Sequence, residues 1–392
     1  VRAVLAPSGE PVHRHDVTLR PAATAMVWIG PGQPHQAMAV PGVALAPHDV
    51  LVAVELSTIC GSDILTVQGR RPAPAPLVLG HESVGRVIAI GESGSAAVDG
   101  SPLRVGDRVV WSMTVSCGAC DRCASGIPQR CRRLATYGHA RIEPRWELTG
   151  GFGGHVHLRD GTAIVRVPEA LPAATLAPVP CATALAWAAL ARAGRVHEPS
   201  GARVVVFGAG MVGLTAAAIA VEEGATVLLV DSDPGRRAIA GRFGLVATTP
   251  DAVAEAAADI VIEASGRDVS AAIAAADVGG AVVLVGSVFP TESAGPAGTA
   301  GSVPDPGPVA PVSPDPVALD SERIVRGLVT VAGVDGYTGE ELAAAVAFMA
   351  GRGRAYPFAE LVGAIHPLAA VDEALAAAAS PDAPLRVGLA PR

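Results

Sequence analysis

The chain has 392 residues, half of them apolar and 3% aromatic. This is longer than one hydrophobic core usually supports, so two domains of α/β character are expected. The net charge is −8 and all 29 basic residues are arginine, without a basic run, which argues against a nucleic-acid partner; the lack of lysine excludes Schiff-base chemistry and a lysine–tyrosine catalytic pair.

The opening stretch VRAVLAPSGEPVHRH lacks the apolar segment of a secretory signal, so a cytoplasmic protein with reduced thiols is expected. Between residues 51 and 111, the runs LVAVELSTI, ESVGRVIAIG and LRVGDRVVW, separated by turn residues, read as the short strands of a β-rich domain. Two stretches in this region carry metal-ligand chemistry. STICGSD places Cys60 ahead of Ser62 and Asp63, and VLGHESVGRV places His81 beside Glu82. Between them, GRRPAP holds Arg70 and Arg71, either a solvated pair or a grip for an anionic substrate group.

CGACDRCASGIPQRC, residues 117 to 131, spaces Cys117, Cys120, Cys123 and Cys131 as C-x2-C-x2-C-x7-C. Four thiolates this close, with glycines to turn the chain, suit a closed tetrahedral zinc, which organises a loop but leaves no position for substrate. A disulfide pair fits a reducing compartment badly, and the spacing fits an iron–sulfur cluster poorly. The uncharged run from 170 to 191 is the one membrane candidate, but its three prolines and small residues favour a buried loop leading into a core helix. That run contains Cys181, and Cys60, His81 and Cys181 make three ligands, the number a catalytic zinc uses when its fourth position stays open.

ARVVVFGAGMVGLTAAAIA reads as a buried strand, then Gly208, Gly210 and Gly213 in the pattern G-x-G-x-x-G, then a helix whose N-terminus suits a pyrophosphate. ATVLLVDSD follows as a second strand ending at Asp231, placed to accept ribose hydroxyls and to repel a 2′-phosphate. NAD is therefore expected over NADP, with Arg236 and Arg237 read as a solvated helix start. Two more strands, at 258 to 266 and 279 to 288, should bring Ser265, Gly266, Val285 and Gly286 to the cofactor. Residues 291 to 318, rich in Pro, Gly, Ala and Ser, read as a mobile inserted loop, and helices return in GEELAAAVAFMAGR and AAVDEALAAAAS.

With Cys60, His81–Glu82, the four-cysteine lobe, Cys181 and the glycine fingerprint in this order, the chain resembles the zinc-dependent alcohol dehydrogenases of the medium-chain dehydrogenase/reductase superfamily, from about residue 40 onward. Within it, GRRPAP, TYGHARIEPRWELTGGFGGHVHL and VALDSERIVRGLVTVAGVDGY resemble the branch of phosphonate-utilisation-associated alcohol dehydrogenases. The resemblance implies a GroES-like catalytic domain from residues 1–180 and 335–392, and a Rossmann domain, a doubly wound parallel sheet, from 181–334. It implies two zinc ions per chain, NAD, hydride transfer to or from a small-molecule alcohol or carbonyl compound such as a hydroxyalkylphosphonate or polyol, and no membrane contact. A homodimer or homotetramer is expected.

In that reading Ser62 hydrogen-bonds the reacting oxygen and starts the proton path, and Asp63 orients His81. Glu82 either approaches the metal during ligand exchange or forms a structural ion pair. Many relatives carry a histidine where this chain has Leu65, so the outer end of the relay falls to water or to His139, His155 or His157. Three rivals remain: a polyol or threonine dehydrogenase, disfavoured by Cys181 where those commonly have Glu; a zinc-free reductase, which needs neither Cys60 nor His81; and a non-catalytic NAD-binding redox sensor.

Overall fold

A computed structural model of the chain describes residues 14–253, 256–285 and 319–391. The backbone divides into two compact units. The first comprises Val1–Cys181, Thr338–Ala350 and Phe358–Arg392, and the second Ala182–Tyr337 and Gly351–Pro357.

The first unit is built from short strands with turn residues between them. Val50–Thr58 is buried along nearly its whole length because its residues pack into two cores, and it is paired at both edges, antiparallel to Glu82–Ile90 on one and to His155–Leu158 and Arg386–Ala390 on the other. Glu82–Ile90 then pairs with Arg108–Val115. A smaller three-stranded sheet joins Gln36–Leu45, His15–Trp28 and Leu77–Val78. Leu51, Leu77, Leu79 and Phe152 share one core, and Val52, Val109, Trp146 and Val156 another. The C-terminal strand Arg386–Ala390 enters the larger sheet through Gly388 opposite Thr58 and Leu389 opposite Ser57, which ties the end of the chain to the strand that leads into Cys60.

In the second unit, β-branched runs alternate with small-residue helices. Its sheet is parallel, with the order Val246–Thr248, Thr226–Val230, Arg203–Phe207, Ala258–Glu263, Ala276–Val285, Thr330–Val334. Numbered along the chain, the strands run 3-2-1-4-5-6, the doubly wound arrangement with its switch point between Arg203–Phe207 and Ala258–Glu263. Helix Met211–Glu222 is apolar nearly all round and is buried accordingly.

Two details differ from the sequence-based expectation. The run expected as a buried loop leading into a core helix does end in such a helix, Ala184–Ala193, but much of the part before it is helical too: Ala173–Leu176 and a π-turn at Val179–Thr183 that holds Cys181. Pro178 and Pro180 lack the N–H groups of a regular helix, and the wider π-turn carries the chain past them. By length and composition Ala173–Ala193 could cross a membrane, but 72% of its apolar window is buried inside the protein. The strand expected at 279 to 288 begins earlier, at Ala276, directly after helix Val269–Ala275. Gly286 and the 291–318 insertion lie outside the described residues.

Candidate functional site

Cys60 ends the approach from Val50–Thr58 and caps helix Gly61–Val67 in an extended conformation. Asp63, at the third position of that helix, closes a capping box: its Oδ2 accepts the Cys60 N–H at 2.9 Å. Its other oxygen faces the Gly80 N–H at 3.4 Å and His81 Nδ1 at 3.6 Å. Helix capping and histidine orientation thus use the same fully buried carboxylate. Gly80 has φ +91°, and a Cβ there would lie 2.5 Å from the Phe152 ring, so only glycine lets the chain deliver His81 at this point.

The ligand atoms of Cys60, His81, Glu82 and Cys181 all lie within 4.8 Å of one another. Ser62 Oγ is 3.5 Å from His81 Nε2. Glu82, fully buried, accepts a hydrogen bond from Thr58 Oγ1 at 2.6 Å and a forked pair from Arg386 at 2.7 and 2.8 Å, while Arg386 Nη2 reaches to 4.0 Å from Cys60 Sγ. The neighbouring Cys181, acting against burial and aided by Arg386 and His81, lowers the Cys60 thiol well below its ordinary value. Burial opposes a charge on His81, but Asp63 and Cys60 outweigh it and raise the imidazole to about 9.

The donor set fits zinc. Two sulfurs and a nitrogen converge, His81 Nδ1 has no hydrogen-bond partner but faces the Asp63 carboxylate at 3.6 Å, and the thiol pair already favours a thiolate. The lobe fits a second ion. Cys120 Sγ lies 3.5 Å from Cys123 Sγ and 3.8 Å from Cys131 Sγ. Four Zn–S bonds of about 2.3 Å in a tetrahedron place sulfurs about 3.8 Å apart, whereas a disulfide needs about 2.05 Å; all six cysteines are free. Backbone N–H groups of Cys117 and Arg133 donate to Cys131 Sγ at 3.2 and 3.3 Å. The Ala119 backbone N–H, with Cys131 and Arg133, brings Cys117 down to about 5.

In the second unit, Gly208 follows strand Arg203–Phe207 with φ +94°, and a Cβ on it would meet the Ser265 backbone at 2.9 Å. A Cβ on Gly213 would strike the Gly208 carbonyl, so helix and loop pack at glycine distance. At Gly210, the cap of helix Met211–Glu222, a Cβ would meet nothing within 4 Å, so the helix N-terminus is open at the position where such helices receive a pyrophosphate. Asp231 closes strand Thr226–Val230 and accepts the Ala209 and Asp233 N–H groups at 2.7 and 2.8 Å. Arg236 is exposed, whereas Arg237 is half-buried and donates to the carbonyls of Asp231 and Ser232 at 2.8 and 2.9 Å. Ser265 and Gly266 are held by Glu263, a buried residue at the end of strand Ala258–Glu263 that donates no sequence signal of its own. Val285, at the end of strand Ala276–Val285, has a buried side chain.

Of the three relay histidines, only His139 joins the metal region, its ring 5.1 Å from that of His81; burial, with His81 and Arg71 nearby, holds it well below its ordinary value. His157 instead pairs with Asp49 at 2.8 Å, and His155 Nδ1 is buried without a partner. Arg386 went unread in the sequence because it stands 304 residues from Glu82 with no motif around it.

Residues 46–169 match the family described as the alcohol dehydrogenase GroES-like domain, and residues 186–291 the one described as the alanine dehydrogenase/PNT C-terminal domain. An uncharacterized zinc-type alcohol dehydrogenase-like protein from Haemophilus influenzae is 35% identical over 59% of this chain, a match spanning 66% of that relative, just under two thirds. Geraniol dehydrogenase from Castellaniella defragrans is 30% identical over 73% of this chain and 77% of its own length. The crystal structure of an alcohol dehydrogenase from Thermotoga maritima superimposes with a TM-score of 0.80 at 26% identity, covering 94% of this chain and 99% of that one. The fold, the order of the ligand segments and these likenesses together place the chain in the zinc-type alcohol dehydrogenases of the medium-chain dehydrogenase/reductase superfamily.

Proposed function

We propose that the protein is an NAD-dependent zinc alcohol dehydrogenase acting on a small alcohol or the matching carbonyl compound. The observation that carries this is the convergence of Cys60, His81 and Cys181 in front of a buried, helix-capping Asp63. Cys60, His81 and Cys181 would hold one ion, and Cys117, Cys120, Cys123 and Cys131 a structural one. When bound, zinc supplies a Lewis acid for the substrate oxygen and the nicotinamide a hydride acceptor.

The chain's own residues do the rest. Ser62 Oγ, beside His81, hydrogen-bonds the substrate hydroxyl and takes its proton onward. Asp63 fixes the His81 ring. Glu82 is engaged by Arg386 and Thr58, so it sets the field behind Cys60 in its resting position. In the second unit Gly208, Gly210 and Gly213 admit the pyrophosphate, Asp231 takes the ribose hydroxyls, and Ser265, Gly266 and Val285 border the nicotinamide. The first unit is thus the catalytic domain and the second the nucleotide domain, in a cytoplasmic homodimer or homotetramer.

Elemental analysis and dehydrogenase assay test the reading. Two zincs per chain and alcohol-dependent NAD reduction are expected, with Cys60→Ser losing one zinc and the activity. Two zincs without turnover of any alcohol would favour the redox-sensor reading, and a clear preference for NADP would overturn the role given to Asp231.

A further inference from the structure

Arg71 sits at the metal region without a role in holding metal or nucleotide. The backbone N–H groups of Arg70 and Arg71 both donate to the Leu65 carbonyl, at 2.9 and 3.1 Å, which turns the segment back on the helix that carries Ser62 and Asp63. Arg70 remains exposed, but Arg71 is half-buried and its Nη1 donates to His139 Nε2. His139 Nδ1 faces the Tyr137 carbonyl at 3.4 Å, so the Nδ1–H tautomer leaves a lone pair on Nε2 for the guanidinium. Through His139 the guanidinium is one hydrogen bond from a ring that packs 5.1 Å from His81. Its charge is felt by Asp63, Cys60 and Cys181.

No carboxylate among the described residues lies within ion-pair distance of Arg71; its one side-chain partner is His139. This contrasts with Arg386 and Arg108, two arginines of this unit's interior, each of which meets a glutamate through a forked pair. A guanidinium taken part-way out of water without a directly paired anion is costly. Its remaining N–H donors form a planar fork that matches an oxyanion.

Resting on the dehydrogenase reading above, we propose that Arg71 receives an anionic group of the substrate, with His139 orienting the guanidinium. The alcohol acted upon then carries a carboxylate, phosphonate or phosphate a short spacer from its carbinol carbon, and Arg71 sets specificity without touching the reacting atoms.

Two measurements on zinc-loaded, full-length protein test this. In the first, kcat/KM with NAD is compared for 2-hydroxyethylphosphonate, 3-hydroxypropionate and 1-propanol, in the wild type, Arg71→Ala, Arg71→Lys and Arg70→Ala. The anionic-to-neutral ratio is expected to fall about tenfold or more in Arg71→Ala, chiefly through KM, less in Arg71→Lys, and by less than about twofold in Arg70→Ala. Which anion gives the larger ratio distinguishes carboxylate from phosphonate. An unchanged ratio, or an equal change in Arg70→Ala, overturns the proposal, since a structural cation or a diffuse field would act in that way. The second measurement is calorimetric binding of methylphosphonate and of acetate, which needs no turnover. Binding of either by the wild type, weakened about tenfold or more in Arg71→Ala, supports the anion site even if no alcohol is oxidised and the dehydrogenase reading fails. Binding of neither, or equal binding by both proteins, overturns it.

Discussion

Asp63 carries several interactions on one carboxylate: it caps a helix through Cys60, faces the Gly80 N–H and stands behind His81. Burial pushes its carboxyl up to about 6, against the opposing pull of His81. Asp63→Asn keeps the shape and removes the charge, so zinc affinity at the Cys60 site should drop about 10- to 100-fold, read by competition with a chelator, while the lobe keeps its ion. A second carboxylate shows how a histidine that looks catalytic in sequence serves stability. Burial works to raise Asp49, but the hydrogen bond and charge of His157 and the N–H groups of Ala46 and Asp160 outweigh it and hold the carboxyl below its ordinary value of 3.8. A folded value below the unfolded one stabilises the protein above pH 3.8, and that contribution disappears as pH falls through the lower, folded value. Urea midpoints from pH 6 to 3 should therefore show Asp49→Asn less stable than wild type at pH 6, the gap closing below about pH 4. A gap that stays constant would remove the charge from the explanation.

At the scale of elements, the ligands are delivered by element ends: a helix cap for Cys60, a glycine turn into a strand for His81, and a π-turn for Cys181. Gly80→Ala tests the second. The added methyl meets the fully buried Phe152 ring at a positive φ, so a destabilisation of about 1–3 kcal/mol is expected by urea unfolding, together with weaker zinc binding at the Cys60 site. Stability and zinc content equal to wild type would show that the turn relaxes freely. The four-cysteine lobe and the glycine fingerprint were legible because each is local: their spacing within a few turns of chain already sets the geometry. Two features were not. The helical course ahead of the expected core helix, through Cys181, was hidden by its prolines, and Glu263 by its place at the end of an ordinary apolar strand.

For the molecule as a whole, two units with separate cores should respond to different ligands. Hydrogen exchange measured with a zinc chelator is expected to rise in residues 58–85 and 117–131, leaving Arg203–Phe207 and Ala258–Glu263 protected. NAD should instead slow exchange at residues 208–213 and 263–266. Uniform loosening of both units by the chelator would contradict this division.

The sequence by itself determined what depends on local spacing and composition: strands and βαβ units from their periodicity, a tetrahedral thiolate lobe from four close cysteines, and a phosphate loop from three glycines and the acid that follows. The tertiary structure decided what depends on residues far apart in the chain. It brought Arg386 to Glu82 across 304 positions through the pairing of the C-terminal strand with Val50–Thr58. It separated His139, beside His81, from His157, paired with Asp49. It also turned Arg71 inward, where its side chain meets the His139 imidazole, and left Arg70 exposed, although the Leu65 carbonyl accepts both their backbone N–H groups.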